Sequence, residues 1–194
     1  MKKLILLMHT TLDGFVAGPN REMNWIKIDE ELFDFVGKIT DQADTALYGR
    51  VTYQMMESYW PTAGDKPNAS KHDIQHSLWY RSVAKVIISN SMKGSDIPKV
   101  QIISNDIPGQ VQRLKQQTGK NILILGSPTA SHSLMQYNLI DEYWLFVNPI
   151  LIGASIPLFK NIKEKINLRL VKTNVFLSGV IGLHYEKIKI IGTH

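Results

Sequence analysis

Two stretches of this chain place glycine and hydrogen-bonding side chains directly after a run of apolar residues. In ADTALYGRVTY, residues 43–53, the run ends at Gly49 and Arg50, and Thr52 and Tyr53 follow. Glycine lets a ligand come close to the backbone, the free amides of a helix start favour anions, and the guanidinium fork matches phosphate oxygens. In LILGSPTASHSLM, residues 123–135, a second run ends at Gly126, and Ser127, Pro128 and Thr129 have the chemistry of a helix start. Taken alone, each is more simply a tight turn, with a surface arginine in the first and a capped helix in the second. Together they offer two anion sites in one sheet, the number a dinucleotide needs for its centre and its ribose. The GxGxxG fingerprint is absent, so no standard dinucleotide motif is claimed.

A third stretch, TTLDGFVAGPNREMNW at 10–25, puts Asp13 just past the first apolar run. Its carboxylate either faces the same mouth or closes an Asp-Gly turn. Trp25 either stacks on a planar ring or closes the core. In HDIQH, His72 and His76 stand one helical turn apart, but Asp73 occupies the position where a metalloprotease has glutamate, and no third ligand accompanies them. They read as surface histidines, and no metal is expected. GSPTAS lacks the hydrolase G-x-S-x-G elbow. Asp141 and Glu142 are adjacent, so in a strand they face opposite sides and cannot act as paired carboxylates. His9 fits either a mouth position or a core position.

The elements that must position these residues alternate through most of the chain. Apolar runs predict strands at 3–8, 45–48, 84–89, 100–104 and 121–125. Helical stripes and breakers predict helices over 29–39, from Arg50 to about residue 58 where YWPTAGDKPN intervenes, over 68–80, within 105–119, and from Ser127 to near 138. Loop chemistry covers 13–24. The last part, DEYWLFVNPILIG and then 168–190 broken by LSG, supplies strands without helices between them. This order predicts an α/β fold of three layers, with a mostly parallel central sheet, flanking helices and a C-terminal antiparallel hairpin.

The 194 residues, 44% apolar and 20% charged, suit one domain over 1–194 that buries a core without metal or disulfide support. Cysteine is absent, which excludes disulfides and thiolate metal sites and fits a reducing compartment. MKKLILLMHTTLDG imitates a signal peptide, but its apolar run is too short and no cleavage site follows. No stretch reaches the roughly 20 apolar residues of a membrane span. The expectation is a cytoplasmic protein without membrane contact. The net charge of +5 comes from dispersed lysines with no basic stripe of stacking aromatics, so no nucleic-acid partner is expected.

In their order and spacing, TTLDGFVAG at 10–18, DTALYGRVTY at 44–53, AKVIIS at 84–89 and LILGSPTASHSLMQYNLIDEYWLFVNPILIGASIPLF at 123–159 resemble one known family. It comprises the reductases of dihydrofolate-reductase-like fold related to the C-terminal domain of the riboflavin-biosynthesis deaminase/reductase. The resemblance implies a single reductase domain that binds NADPH and transfers a hydride to a C=N or C=O bond of a small polar, pyrimidine- or pteridine-like substrate. It implies that Gly49, Arg50 and Thr52 meet the ribose 2′-phosphate with Ser89 on the same side. Gly126, Ser127, Thr129 and Ala130 would hold the pyrophosphate, and Gly153 would lie by the nicotinamide half. Asp13 becomes the acid/base group of the substrate pocket, acting itself or through a water, with Trp25 nearby.

The resemblance also implies a homodimer, for which the apolar segments at 142–152 and 180–191 offer surfaces. The chain departs from the family pattern at Ser127, where a second glycine is usual, at Ser155, and at Asn24, where many relatives carry aspartate. Two alternatives stand beside the main reading. One is a true dihydrofolate reductase, with Asp29 or Glu30 as the pterin-binding carboxylate. The other is a non-catalytic cofactor- or ligand-binding protein of the same fold.

Overall fold

The computed structural model describes residues 1–188. Its first strand, β1 (Leu4–Thr11), is buried almost throughout, as a continuous apolar run covered on both faces must be. A short strand β2 (Phe15–Ala17) follows, then helix α1 (Glu30–Thr40), strand β3 (Ala43–Gly49) and helices α2 (Arg50–Ala63) and α3 (Lys71–Ser82). Next come strands β4 (Ala84–Ile88) and β5 (Val100–Ile103), helix α4 (Ile107–Gln116), strand β6 (Asn121–Leu125) and helix α5 (Pro128–Gln136). The chain closes with β7 (Glu142–Asn148), β8 (Ile156–Pro157), β9 (Leu168–Val175) and β10 (Ile181–Lys187).

Eight strands form one sheet in the order β5-β4-β3-β6-β1-β7-β10-β9. Every pairing from β5 to β7 is parallel, and β10 runs antiparallel to both β7 and β9. The period of two divides each inner strand between two cores. Leu4, Leu6 and Met8 face α4 and α5 with Leu114 and Leu134. Ile5 and Leu7 face α1, α2 and α3 with Leu32, Tyr53 and Tyr80. This is the predicted three-layer α/β architecture with its C-terminal antiparallel pair.

Two expectations change in detail. Helix α2 does not stop near residue 58: it continues to Ala63 with Pro61 inside it. Pro61 lies in the last turn, and two carbonyls left open by the end of the helix are taken up from α3, where Ser77 Oγ donates to the Trp60 carbonyl at 2.7 Å and Arg81 Nε to the Pro61 carbonyl at 2.7 Å. The loop expected over 13–24 contains β2, which pairs antiparallel with β8 and so ties the chain after β1 to the chain after β7. A two-residue partner strand gives no periodic signal, which is why the pairing is not readable from sequence. The end of the expected final strand, at 189–190, lies outside the described residues.

The parallel strands all point one way, so the chain leaves β1, β3, β4, β6 and β7 at a common end of the sheet. Thr11, Gly49, Ser89, Gly126 and Asn148 stand there, and ligands of open α/β sheets bind at that end.

Candidate functional site

The two glycine corners meet. β3 and β6 are neighbours in parallel register, and the Gly49 amide donates to Ser127 Oγ at 2.9 Å. A Cβ on Gly49 would stand 3.6 Å from the Ala130 Cβ, and one on Gly126 would stand 3.5 Å from Thr52 Cγ2. The starts of α2 and α5 are therefore packed against each other. Gly126 has φ +62, a left-handed backbone that glycine adopts without cost, and its amide donates to the Leu7 carbonyl at 3.3 Å. Ser127 is also left-handed, at φ +61. The serine thus holds a backbone shape that glycine adopts more readily, and its hydroxyl accepts the bond that joins the corners.

These two helices differ from the other three at their N-termini. Asp29 caps α1 by accepting from the Leu32 amide at 2.7 Å, Ser70 and Asp73 form a reciprocal capping box on α3, and Asp106 accepts from the Gly109 amide on α4. Neither Gly49 nor Ser127 supplies a side-chain cap to α2 or α5. The first-turn amides of both helices, including those of Thr52, Thr129 and Ala130, keep their positive ends turned to the mouth of the sheet. Arg50 occupies the first position of α2, exposed, with Nη1 donating to Gln54 Oε1 at 2.9 Å. Ser89 is buried just past β4, its hydroxyl 3.2 Å from that of Ser91. The pair of open helix starts, the glycine backbone and the guanidinium together fit an anionic dinucleotide.

Asp13 follows β1 at the same end of the sheet. One oxygen accepts from the Thr11 hydroxyl at 2.6 Å, and the other accepts from the amides of Ile152 and Gly153 at 3.1 and 2.8 Å. The Thr11 hydroxyl and these amides hold the carboxyl below its ordinary range, so it is ionised near neutral pH. It clamps the loop after β1 to the loop after β7, where Gly153 has φ +78 and open space beside its α-carbon. Asn148 does the same from the buried side, a role no sequence signal marked. Its Oδ1 accepts from the Lys27 amide at 2.9 Å, and its Nδ2 donates to the carbonyls of Thr10 and Phe146, both at 3.1 Å. The bond to Lys27 draws the 18–29 segment over the mouth, with Trp25 half-buried and its indole N–H without a partner among the described residues.

On the α1 side of the same end is a cavity of about 130 Å³ lined by Leu7, His9, Leu125, residues of α1 and α2, and His72 and His76 of α3. His9 stacks on Phe146, ring centroids 5.1 Å apart, and burial lowers its pKa to about 4. His9 thus takes both positions, largely buried against the core and also lining the cavity. His72 and His76 are not surface histidines. His72 stacks on Phe33 at 3.5 Å, His76 packs on Trp60 at 4.1 Å, and burial lowers the pKa of His76 to about 4. Their four-residue spacing puts both on one helix face, and aromatic partners on α1 and α2 cover that face. Among the described residues, no group of three or more His, Cys, Asp or Glu could hold a metal.

Glu30 is exposed in the first turn of α1 and is absent from the cavity wall. Asp29 spends its carboxylate on the cap and on the Ser178 amide at 2.9 Å.

A family model described as the RibD C-terminal domain matches residues 2–181. The chain belongs to this family. It is 32% identical over 189 residues to the uncharacterized protein YyaP of Bacillus subtilis strain 168, with 95% of each chain covered. Among solved structures it resembles a pyrimidine reductase-like protein of Corynebacterium diphtheriae, with TM-score 0.67, 16% identity, and 97% and 92% of the two chains covered. It also resembles the bifunctional diaminohydroxyphosphoribosylaminopyrimidine deaminase/5-amino-6-(5-phosphoribosylamino)uracil reductase of Thermotoga maritima. There the TM-score is 0.67 and the identity 13%, and the match covers 96% of this chain and 57% of that one. These likenesses establish the dihydrofolate-reductase-like fold of the family. Among the described residues no helix is long and apolar enough to cross a membrane.

Proposed function

We propose that this RibD C-terminal-type domain is an NADPH-dependent reductase of a small pyrimidine- or pteridine-like compound. The observation that carries the reading is the pair of uncapped helix starts joined by the Gly49–Ser127 bond, with Arg50 at their edge. In this reading Gly126, Ser127, Thr129 and Ala130 hold the pyrophosphate with backbone amides and hydroxyls. Arg50 and Thr52, with Gly49 and Ser89 beside them, take the ribose 2′-phosphate, and Gly153 borders the nicotinamide half.

When bound, the cofactor supplies the hydride for the carbon of a C=N or C=O bond, and a proton completes the product at nitrogen or oxygen. The protein's work is alignment and proton supply. Asp13, ionised and bonded to three groups, orients the Ile152–Gly153 backbone and a water rather than giving up a proton of its own. The reductases among the structural relatives support this chemistry.

Calorimetric titration with NADPH and with NADH tests the cofactor assignment. NADPH binds more tightly by about tenfold or more, and Arg50→Ala lowers NADPH affinity to that of NADH. Equal affinity of the wild-type protein for both cofactors defeats the role of Arg50.

A homodimer belongs to the same proposal, but β7 cannot supply an edge to it because β1 and β10 pair with both its sides. The end of the 180–191 segment lies outside the described residues. The exposed Leu170, Val171 and Val175 of edge strand β9 fit the role better, and solution mass on wild-type and Val171→Lys protein checks it.

A further inference from the structure

The cavity beside the phosphate corners has a definite size and chemistry. Its wall is formed by Leu7, Leu32, Val36, Met56 and Leu125, with Phe33, Trp60 and the imidazoles of His9, His72 and His76, and no Lys, Arg, Asp or Glu lines it. It opens at the ends of β1 and β6. Leu125 directly precedes Gly126, whose amide is bonded to Leu7, so a ligand in the cavity lies next to the glycine corner. Burial keeps the histidines below their ordinary range, and near neutral pH they are uncharged donors and acceptors. Among the described residues, neither ring nitrogen of His72 or His76 has a hydrogen-bond partner. Such ring nitrogens, free to bond a ligand in place of water, orient it rather than attract charge.

The volume sets a limit on the ligand. An apolar cavity of about 150 Å³ holds one benzene ring, and this one is about 130 Å³. A single six-membered ring fills the recess, and any further part of a ligand must extend through its opening. A phosphate brought to this wall would lose its hydration without gaining a cation. The larger groove beyond the Phe33–His72 stack is lined by Lys38 and Lys120 but also by three aspartates, Asp34, Asp41 and Asp44, so its wall is not net positive.

We infer that this cavity binds an uncharged single-ring heteroaromatic group rather than a ribose phosphate, held edge-on by the imidazoles of His72 and His76. This rests on the reductase reading for its chemistry but not for its binding.

Ligand-observed NMR separates the two. Uracil and 2-pyridone are offered as uncharged rings and uridine 5′-phosphate as the phosphorylated counterpart, each with and without NADPH. At least one neutral ring binds about tenfold more tightly than uridine 5′-phosphate, and Val36→Phe, which fills the cavity, removes that binding while NADPH still titrates. His76→Gln, a milder change, weakens ring binding in a protein whose circular dichroism matches wild type. Binding of uridine 5′-phosphate as tight as that of uracil overturns the inference. So does the failure of both neutral rings, or their retention by folded Val36→Phe protein. Ring binding without any NADPH binding would refute the reductase reading and leave the cavity assignment standing.

Discussion

At the amino ends of the parallel strands, Lys2, Lys115 and Glu142 are buried, and each meets an opposite charge. Lys2 Nζ lies 2.6 Å from Asp44, Lys115 Nζ lies 2.6 Å from Asp141, and Glu142 binds both Lys3 and His184. At the carboxyl ends the polar groups are left open instead. Two helix starts lack side-chain caps, the Trp25 indole N–H has no partner among the described residues, and three imidazoles line a ring-sized cavity. Buried pairs with all their bonds made fix the register of β1, β3 and β7 and respond to no ligand. Donors left to water at the other end cost the free protein little and stay available to a ligand. The same sheet is thus closed at one end and receptive at the other.

The largest expected effect breaks the closed end. Lys115→Met strands the Asp141 carboxylate with only the Leu4 amide bond and lowers stability by about 3 kcal/mol. Urea denaturation measures the loss, and NADPH affinity stays unchanged; a parallel loss of affinity would show that the two ends are not independent.

Acid acts on the receptive end. His9 and His76 take up protons in the folded protein only near pH 4, against an ordinary value of 6.5. Between those values the unfolded chain binds more protons, so stability falls as pH drops from about 6.5 to about 4. The depressed carboxyls of Asp13 and Asp29 add their losses below that window, as pH falls from about 4 through their lower folded values. The histidine contribution, discounted for partial exposure, is of order 1 kcal/mol each. Thermal melts across this range show it, and His76→Gln removes its share of the slope.

Capping the open corner sharpens the contrast further. Gly49 has φ −84, which any residue can adopt, so Gly49→Asp gives α2 the kind of cap α1 already has. Stability stays within about 1 kcal/mol of wild type while NADPH affinity falls by about tenfold or more, because the carboxylate occupies the anion's place. Retained affinity would remove that corner from the site.

The fold was legible because its inner strands are buried on both faces and read as unbroken apolar runs, with glycine, serine and aspartate marking the turns. The corners were legible for the same reason: Gly49 and Gly126 each interrupt such a run. The cavity was not. Its wall comes from β1, β6 and three helices far apart in sequence, and each residue taken singly has a commoner explanation. His72 and His76 read as surface residues because the aromatic partners covering them, Phe33 and Trp60, lie on other helices. Asn148 carries no local signal at all, since its bonds reach Thr10 and Lys27 across more than a hundred residues.

Ser127 offers the finest test, because two substitutions there separate what its side chain does from what its backbone requires. Ser127→Ala removes the acceptor for the Gly49 amide and keeps a β-carbon in a left-handed conformation, so it costs about 1 kcal/mol. Ser127→Gly loses the same bond but relieves a backbone penalty of about 1 kcal/mol, which brings stability back near that of wild type. Thermal denaturation of both variants, beside their NADPH affinities, reads the two contributions apart. Equal melting temperatures for the alanine and glycine variants would mean that position 127 is not left-handed in solution, and the corner would then lose the backbone shape that lets α5 present its amides to a phosphate.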